Sequence, residues 1–398
     1  MVKVCSAPGA EVHLLLDRYI TPSIKDPERQ GRGSDQHGGL GDDRFHITGR
    51  EQQQKKKGSE LVKDSSFKEQ FGKFLLTEAQ HCPLTGDKVI FISHGGKCVK
   101  VTNTFGKIDI SEPEDMQGTH EEADTLIAYH VNKIPSGTVV VRSSDTDVVV
   151  ILTSLAARKP DLAIFMDYGT RDSRRFIDVS NIACSLQEKT PGICEALIGF
   201  HSLTGCDFTS SFYRKGKKKA FEILTSDVDD KYLSAVQSLN TLDVCYENVT
   251  AFVCRVYGHK KHSDIDEARF ESFLKMTRGK ALTKVKKVNC ASLPPCARSL
   301  NKHIQRANYV SMIWYNSDKA QPTSCSPLDF GWQEDDFGRY QPHWFEGPSV
   351  PNIVTGDNEL DDEETVTGEH VDVEGTVEAD EIDEGEWSGD SDASDSDE

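Results

Sequence analysis

Acids stand where strands end and helices begin in this sequence. The apolar run Val139–Val141 leads into Arg142-Ser143-Ser144, and Asp145-Thr146-Asp147 opens the helical stretch that follows. In open parallel sheets, functional groups gather beyond the carboxyl ends of strands, so both aspartates are placed to face a crevice. Either could cap the helix, but one cap needs one acid and leaves the second unexplained. Paired carboxylates at such a position suit divalent-metal binding. Upstream, Glu121-Glu122-Ala123-Asp124 precedes the mostly apolar Thr125–Tyr129, where first-turn acids also complement the helix dipole. Downstream, Gly205-Cys206-Asp207 follows an apolar helix, and an aspartate after glycine is ordinary turn chemistry.

Positioning these acids requires alternating strands and helices. Residues 11–17 read as a short buried strand with an acid at its end. From Tyr19 to Lys63 the pattern is lost in Gly-rich and QQQKKK stretches, read as a mobile, partly helical insertion. Residues 65–80 have helical spacing after a Ser–Ser cap. Lys88–Ser93 reads as a strand, with Lys97–Thr102 as its hairpin partner across Gly95–Gly96. Then follow helix 121–132, strand 138–142, helix 147–157, strands 162–167 and 175–178, and helices 179–187 and 192–200. This alternation predicts an α/β fold: a largely parallel twisted sheet with helices on both faces. Beyond Thr209 the pattern is helical, over 218–224, 231–239, 242–257, 268–276 and 300–314. Residues 320–350, rich in proline and aromatics, read as a wrapping segment.

The order of the acidic motifs resembles that of the flap endonuclease / 5′-nuclease (PIN-like) superfamily. Glu122-Ala123-Asp124 is similar to its Glu-Ala-Glu-type motif, Asp145-Thr146-Asp147 to its Asp-x-Asp motif, and Gly205-Cys206-Asp207 to its Gly-Ser-Asp motif. Gly216-Lys217-Lys218-Lys219-Ala220 resembles its helix–turn–helix. Leu14-Leu15-Leu16-Asp17 is similar to its strand ending in a metal-binding aspartate before a basic arch, here 23–57. The likeness covers about residues 11–225 and is closest to flap-endonuclease-like proteins of animal genomes. It implies a PIN-like domain over 1–225 with an arch-like insertion over 19–63, and a structure-sensing nuclease. Two Mg²⁺ (or Mn²⁺) ions would be held by Asp17, Glu122, Asp124, Asp145, Asp147 and Asp207, with Glu122, Asp145 and Asp147 central to catalysis. Arg214, Lys215, Gly216, Lys217, Lys218 and Lys219 would grip nucleic acid, DNA rather than RNA. The family's first strand and aspartate have no counterpart among the ten residues before Glu11. The N-terminus is therefore expected to be incomplete relative to the family. The alternative is a catalytically impaired nucleic-acid-binding or scaffold protein descended from such a nuclease.

Composition agrees with an intracellular nucleic-acid protein once the tail is set apart. The formal net charge is −19, but Asp357–Glu398 carries 20 acids and no Lys or Arg. Residues 1–356 hold 45 acids against 46 bases, so the body is neutral and the acidity belongs to an appendage. That tail (357–398) is expected to be disordered and to suit a basic protein partner, with 226–356 a helical extension. The eleven cysteines form no CxxC pair and read as thiols of a reducing compartment, nuclear or cytoplasmic rather than secreted. No apolar run is long enough for a membrane span. Neither a P-loop nor an HExxH pattern occurs, and no Cys/His spacing suggests a zinc finger.

Overall fold

Tight glycine turns decide the first sheet. Strand β1 (Glu11–Leu15) lies parallel to β2 (Val89–His94), with Leu14 opposite Ile92. Gly95 and Gly96, both at positive φ, reverse the chain into β3 (Lys97–Thr104), and Phe105-Gly106 repeats the reversal into β4 (Lys107–Ser111). Two-residue loops of that kind match the twist of antiparallel neighbours. The computed structural model describes residues 11–27, 47–53, 61, 64–81, 84, 88–227, 229–277 and 289–345. Most of the insertion expected over 19–63, and the whole acidic tail 357–398, lie outside these residues. Among them no helix is long and apolar enough to cross a membrane.

The second sheet leads into Asp145 and Asp147. Strand β5 (Gly137–Arg142) pairs parallel with β6 (Leu162–Tyr168), and β6 pairs antiparallel with β7 (Arg175–Asp178). Helix α1 (Ser65–Thr77) packs on β2, α2 (Ala123–Lys133) leads into β5, and α3 (Thr146–Arg158) connects β5 to β6. A short antiparallel pair, β8 (Trp332–Glu334) and β9 (Tyr340–Pro342), lies in the segment expected to wrap. The molecule is thus a mixed α/β protein. The expected single, largely parallel sheet is corrected by the pairing. Among the described residues four of the six strand pairs are antiparallel, and β1–β4 and β5–β7 form separate sheets. Sequence periodicity reports strand identity, whereas the short connections β2–β3, β3–β4 and β6–β7 permit only reversal.

Helices α4 (Val179–Lys189), α5 (Ile193–Thr204), α6 (Lys217–Thr225), α7 (Lys231–Ser238), α8 (Tyr246–Val256), α9 (Ile265–Thr277) and α10 (Ala297–Tyr315) complete the fold. A continuous core joins Val148, Leu152 and Ile164 to Ile198, Phe252, Ile304 and Trp314. The expected boundary at 225–226 falls inside this core. Helix α5 is apolar on nearly every face because neighbours enclose it. It contacts α3, α7 and α10. Gly199 makes one of these approaches possible, since a Cβ there would lie 2.3 Å from the Val236 carbonyl oxygen.

Candidate active site

Asp17 is the residue through which β1 reaches the acids of α2. Leu16 N–H donates to the Ser93 carbonyl, which keeps the chain in register just past the strand. Asp17 Oδ1 then accepts from the Ala123 N–H at 2.8 Å, and Arg18 N–H donates to the Glu121 carbonyl at 2.7 Å. An amide of the first turn of α2 would otherwise lack a partner, so Asp17 acts as a cap supplied from 106 residues away. Glu122 occupies the N-cap position of α2 but makes no side-chain capping bond. Its carboxylate is left for other work.

Asp145 is the cap of α3: its Oδ1 accepts from the Asp147 N–H at 2.8 Å. The cap explains one acid of the pair, as the sequence allows, and Asp147 is the other. Asp147 is buried, at 9% exposure. Its Oδ1 accepts from Nε2 of His201 at 2.9 Å, on helix α5. Nδ1 of His201 meets the Lys217 ammonium at 2.8 Å. An ammonium only donates, so Nδ1 accepts and the ring proton sits on Nε2, directed at Asp147. The sequence offers no local signal for His201, which lies 54 residues from Asp147.

The charges act on one another. Burial and then the charge of Asp145 push the Asp124 carboxyl up to about 7, with Asp17 and Asp147 adding to the rise and Lys25 opposing it. Burial pushes Glu122 up to about 8, against the pull of Lys25 and with Asp124 and Glu121 reinforcing it. Lys25 forms an ion pair with Glu122 Oε1. Burial alone would lower its ammonium, but Glu122, Asp124 and Asp17 outweigh burial and hold it above the usual lysine range. Five of the six predicted ligands (Asp17, Glu122, Asp124, Asp145 and Asp147) therefore share one electrostatic neighbourhood. Asp207 lies exposed in the turn closed by the Cys206–Thr209 bridge. Its neighbour Cys206 feels the charge of Asp147, which sets that turn beside the cluster. A carboxylate the acidic motifs do not include, Asp167 at the end of β6, is already claimed by Arg174, which holds it at 2.8 Å through two nitrogens, and by Arg142.

These donors fit hard divalent cations. They are carboxylate oxygens, the donor type such ions take, although among the described residues no three of them bring ligand atoms within 4.8 Å of one another as the side chains stand. Beside Glu122 opens a cavity of about 190 Å³, walled by Ile24, Phe208, Tyr309, Ile313 and Trp314.

The basic cluster divides in two. Arg214, Lys218 and Lys219 are exposed at the start of α6, and Gly216 is its N-cap with open space around it. Lys215 is drawn over the Tyr257 ring, 4.8 Å from its centroid. Lys217 is turned inward to His201. Comparison with protein-family models, with curated proteins and with solved structures finds no match to this chain.

Proposed function

We propose that this protein is a metal-dependent nuclease of the flap-endonuclease-like class, built on a PIN-like domain and acting on nucleic-acid phosphodiesters. The observation that carries the reading is the hydrogen bond from the Ala123 N–H to Asp17, which brings the end of β1 to the helix start that holds Glu122 and Asp124, where burial and the charges of Asp145, Asp17 and Asp147 raise Asp124. Acids from the end of β1, the start of α2 and the start of α3 press on one another as they would around divalent ions. Glu122, Asp124, Asp145 and Asp147 would hold Mg²⁺ or Mn²⁺, with Asp17 and Asp207 at the margin. Bound there, such ions would activate the attacking water and stabilise the leaving oxygen. The chain's own residues position and protect. Asp17 and Asp145 fix the helix starts. His201 fixes the orientation of Asp147, and the cavity beside Glu122 leaves room next to the acids. Exposed Arg214, Lys218 and Lys219 would neutralise backbone phosphates of a bound duplex.

A second reading rests on the Lys25–Glu122 ion pair. An ammonium within the carboxylates supplies positive charge permanently, as expected of a nucleic-acid-binding scaffold that has given up catalysis. Cleavage of labelled 5′-flap and single-stranded DNA with Mg²⁺ separates the two. The nuclease reading expects cleavage that falls at least about 100-fold in the Asp145→Ala/Asp147→Ala variant. Equal cleavage by both proteins refutes it. DNA retention without cleavage by either supports the scaffold.

A further inference from the structure

Helices α8 and α9 are joined by a turn whose histidines face the acids of α9. Gly258, at φ 93°, turns the chain after α8, and the His259 N–H donates back to the Cys254 carbonyl. His259 is buried, with Nδ1 at 2.7 Å from Glu271 Oε2. Nε2 of His262 lies 2.9 Å from the same oxygen. The three ligand atoms all lie within 4.8 Å of one another. Zinc bonds to imidazole nitrogen and carboxylate oxygen are about 2.0–2.2 Å, so tetrahedral ligand edges are roughly 3.3 Å. Small side-chain rotations reach that geometry.

The outer partners are also in place. Nε2 of His259 meets Ser272 Oγ at 2.7 Å, and Nδ1 of His262 meets Glu267 Oε2 at 3.2 Å. Glu267 and Glu271 are one helical turn apart, so one face of α9 presents both acids. Both nitrogens of His262 thus face carboxylate oxygens, which suits either an imidazolium or a metal-bound imidazole. With a cation between Nε2 and Glu271, Nε2 and His259 Nδ1 offer lone pairs to it, while the far nitrogens donate to Glu267 and Ser272. Metal-bound histidines are characteristically oriented by such second partners. His262 and Glu271 side chains are 31% and 39% exposed, so an ion could enter from solvent and keep a water on its open side.

We propose that His259, His262 and Glu271 bind a zinc-class divalent ion, with Ser272 and Glu267 orienting the two histidines, and that the ion ties the α8–α9 turn to α9. Nitrogen donors select zinc, nickel, cobalt or copper over magnesium, which distinguishes this site from the all-oxygen cluster.

The test uses the full chain and Zn²⁺ alone, by equilibrium dialysis with elemental analysis, beside His262→Ala, Glu271→Gln and Asp145→Asn/Asp147→Asn. The parent should retain one zinc more than His262→Ala and Glu271→Gln, whose affinity falls at least tenfold. The Asp145→Asn/Asp147→Asn variant should keep that zinc whatever its nuclease activity. Zinc should raise the Tm of the parent by several degrees and leave the Tm of the two site variants unmoved. Cobalt loading should give four-coordinate visible bands that vanish in Glu271→Gln, which preserves side-chain shape and guards against loss of folding. Equal zinc retention by the parent and both site variants overturns the proposal.

Discussion

His201 and Asp147 share a hydrogen bond of 2.9 Å, and Lys217 meets the other face of the same ring. The basic residue that sequence order assigns to nucleic acid thus reaches the acidic centre through a histidine. His201→Ala should weaken Mg²⁺ or Mn²⁺ binding by about 10–100-fold, because Asp147 loses the contact that sets its orientation. Isothermal titration of the metal into both proteins checks this. His201→Asn, which keeps a donor, should recover part of the loss.

Lys218 and Lys219 should behave differently from Lys217. Each exposed lysine that meets a phosphate should, when changed to alanine, flatten the dependence of log K on log salt by about 1. Lys217→Ala should leave that slope nearly unchanged while weakening metal binding. Fluorescence anisotropy with a duplex at several salt concentrations distinguishes them. A unit loss of slope in Lys217→Ala would put Lys217 on the phosphates instead.

The carboxylate cluster makes a signed prediction for pH. Asp124 and Glu122 are raised to about 7 and 8 in the folded protein from ordinary carboxylate values. Between pH 4 and 8 the folded state therefore binds more protons than the unfolded one, and stability falls as pH rises through that window. In EDTA the Tm should drop between pH 5 and pH 8. Divalent metal takes up the deprotonated ligands, so Mg²⁺ or Mn²⁺ should flatten the decline and bind more tightly at pH 8 than at pH 6. Asp124→Asn should lessen the metal-free slope. An unchanged slope in that variant would remove Asp124 from the account.

Lys25 decides between the two functional readings. Lys25→Met removes the cation paired with Glu122, leaving a buried carboxylate without its partner above about pH 8, at a cost of about 3–5 kcal/mol without metal. On the nuclease reading, Mg²⁺ or Mn²⁺ takes over that charge and restores stability, measured by urea unfolding with and without metal. On the scaffold reading metal restores nothing.

The element boundaries at which the candidate acids sit were legible. The run of apolar residues into Asp145-Thr146-Asp147 located both the end of β5 and the start of α3. The acids Glu122 and Asp124 marked the start of α2 in the same way. Four features were not legible. Asp64, rather than a serine, caps α1, because the side chain that meets the Phe67 amide is chosen by local geometry. Ser180, in the first turn of α4, bonds Leu162 and Ile164 on β6, and Asp178 caps the helix. The pairing of His201 with Asp147, and of His259 and His262 with Glu271, depends on helix packing that no local spacing encodes. Strand β4 was also missed, since KIDIS exposes most of its residues and lacks a buried run.

Packing against α5 sets the position of His201, so a change remote from the acids should disturb the site. Gly199, two residues before His201, lies in contact with α7, where a Cβ would stand 2.3 Å from the Val236 carbonyl oxygen and 3.3 Å from Leu239 Cβ. Backbone cannot yield as a flexible side chain does, so α5 and α7 must move apart. Overpacking of this kind costs about 1–3 kcal/mol. Gly199→Ala should lower the urea midpoint accordingly. It should also weaken metal binding, because a shift of α5 carries His201 away from Asp147. Gly216→Ala, at a position with open space around it, should do neither. If Gly199→Ala lost stability but kept full metal affinity, His201 would not be orienting Asp147, and the centre would rest on the strand ends and helix caps alone.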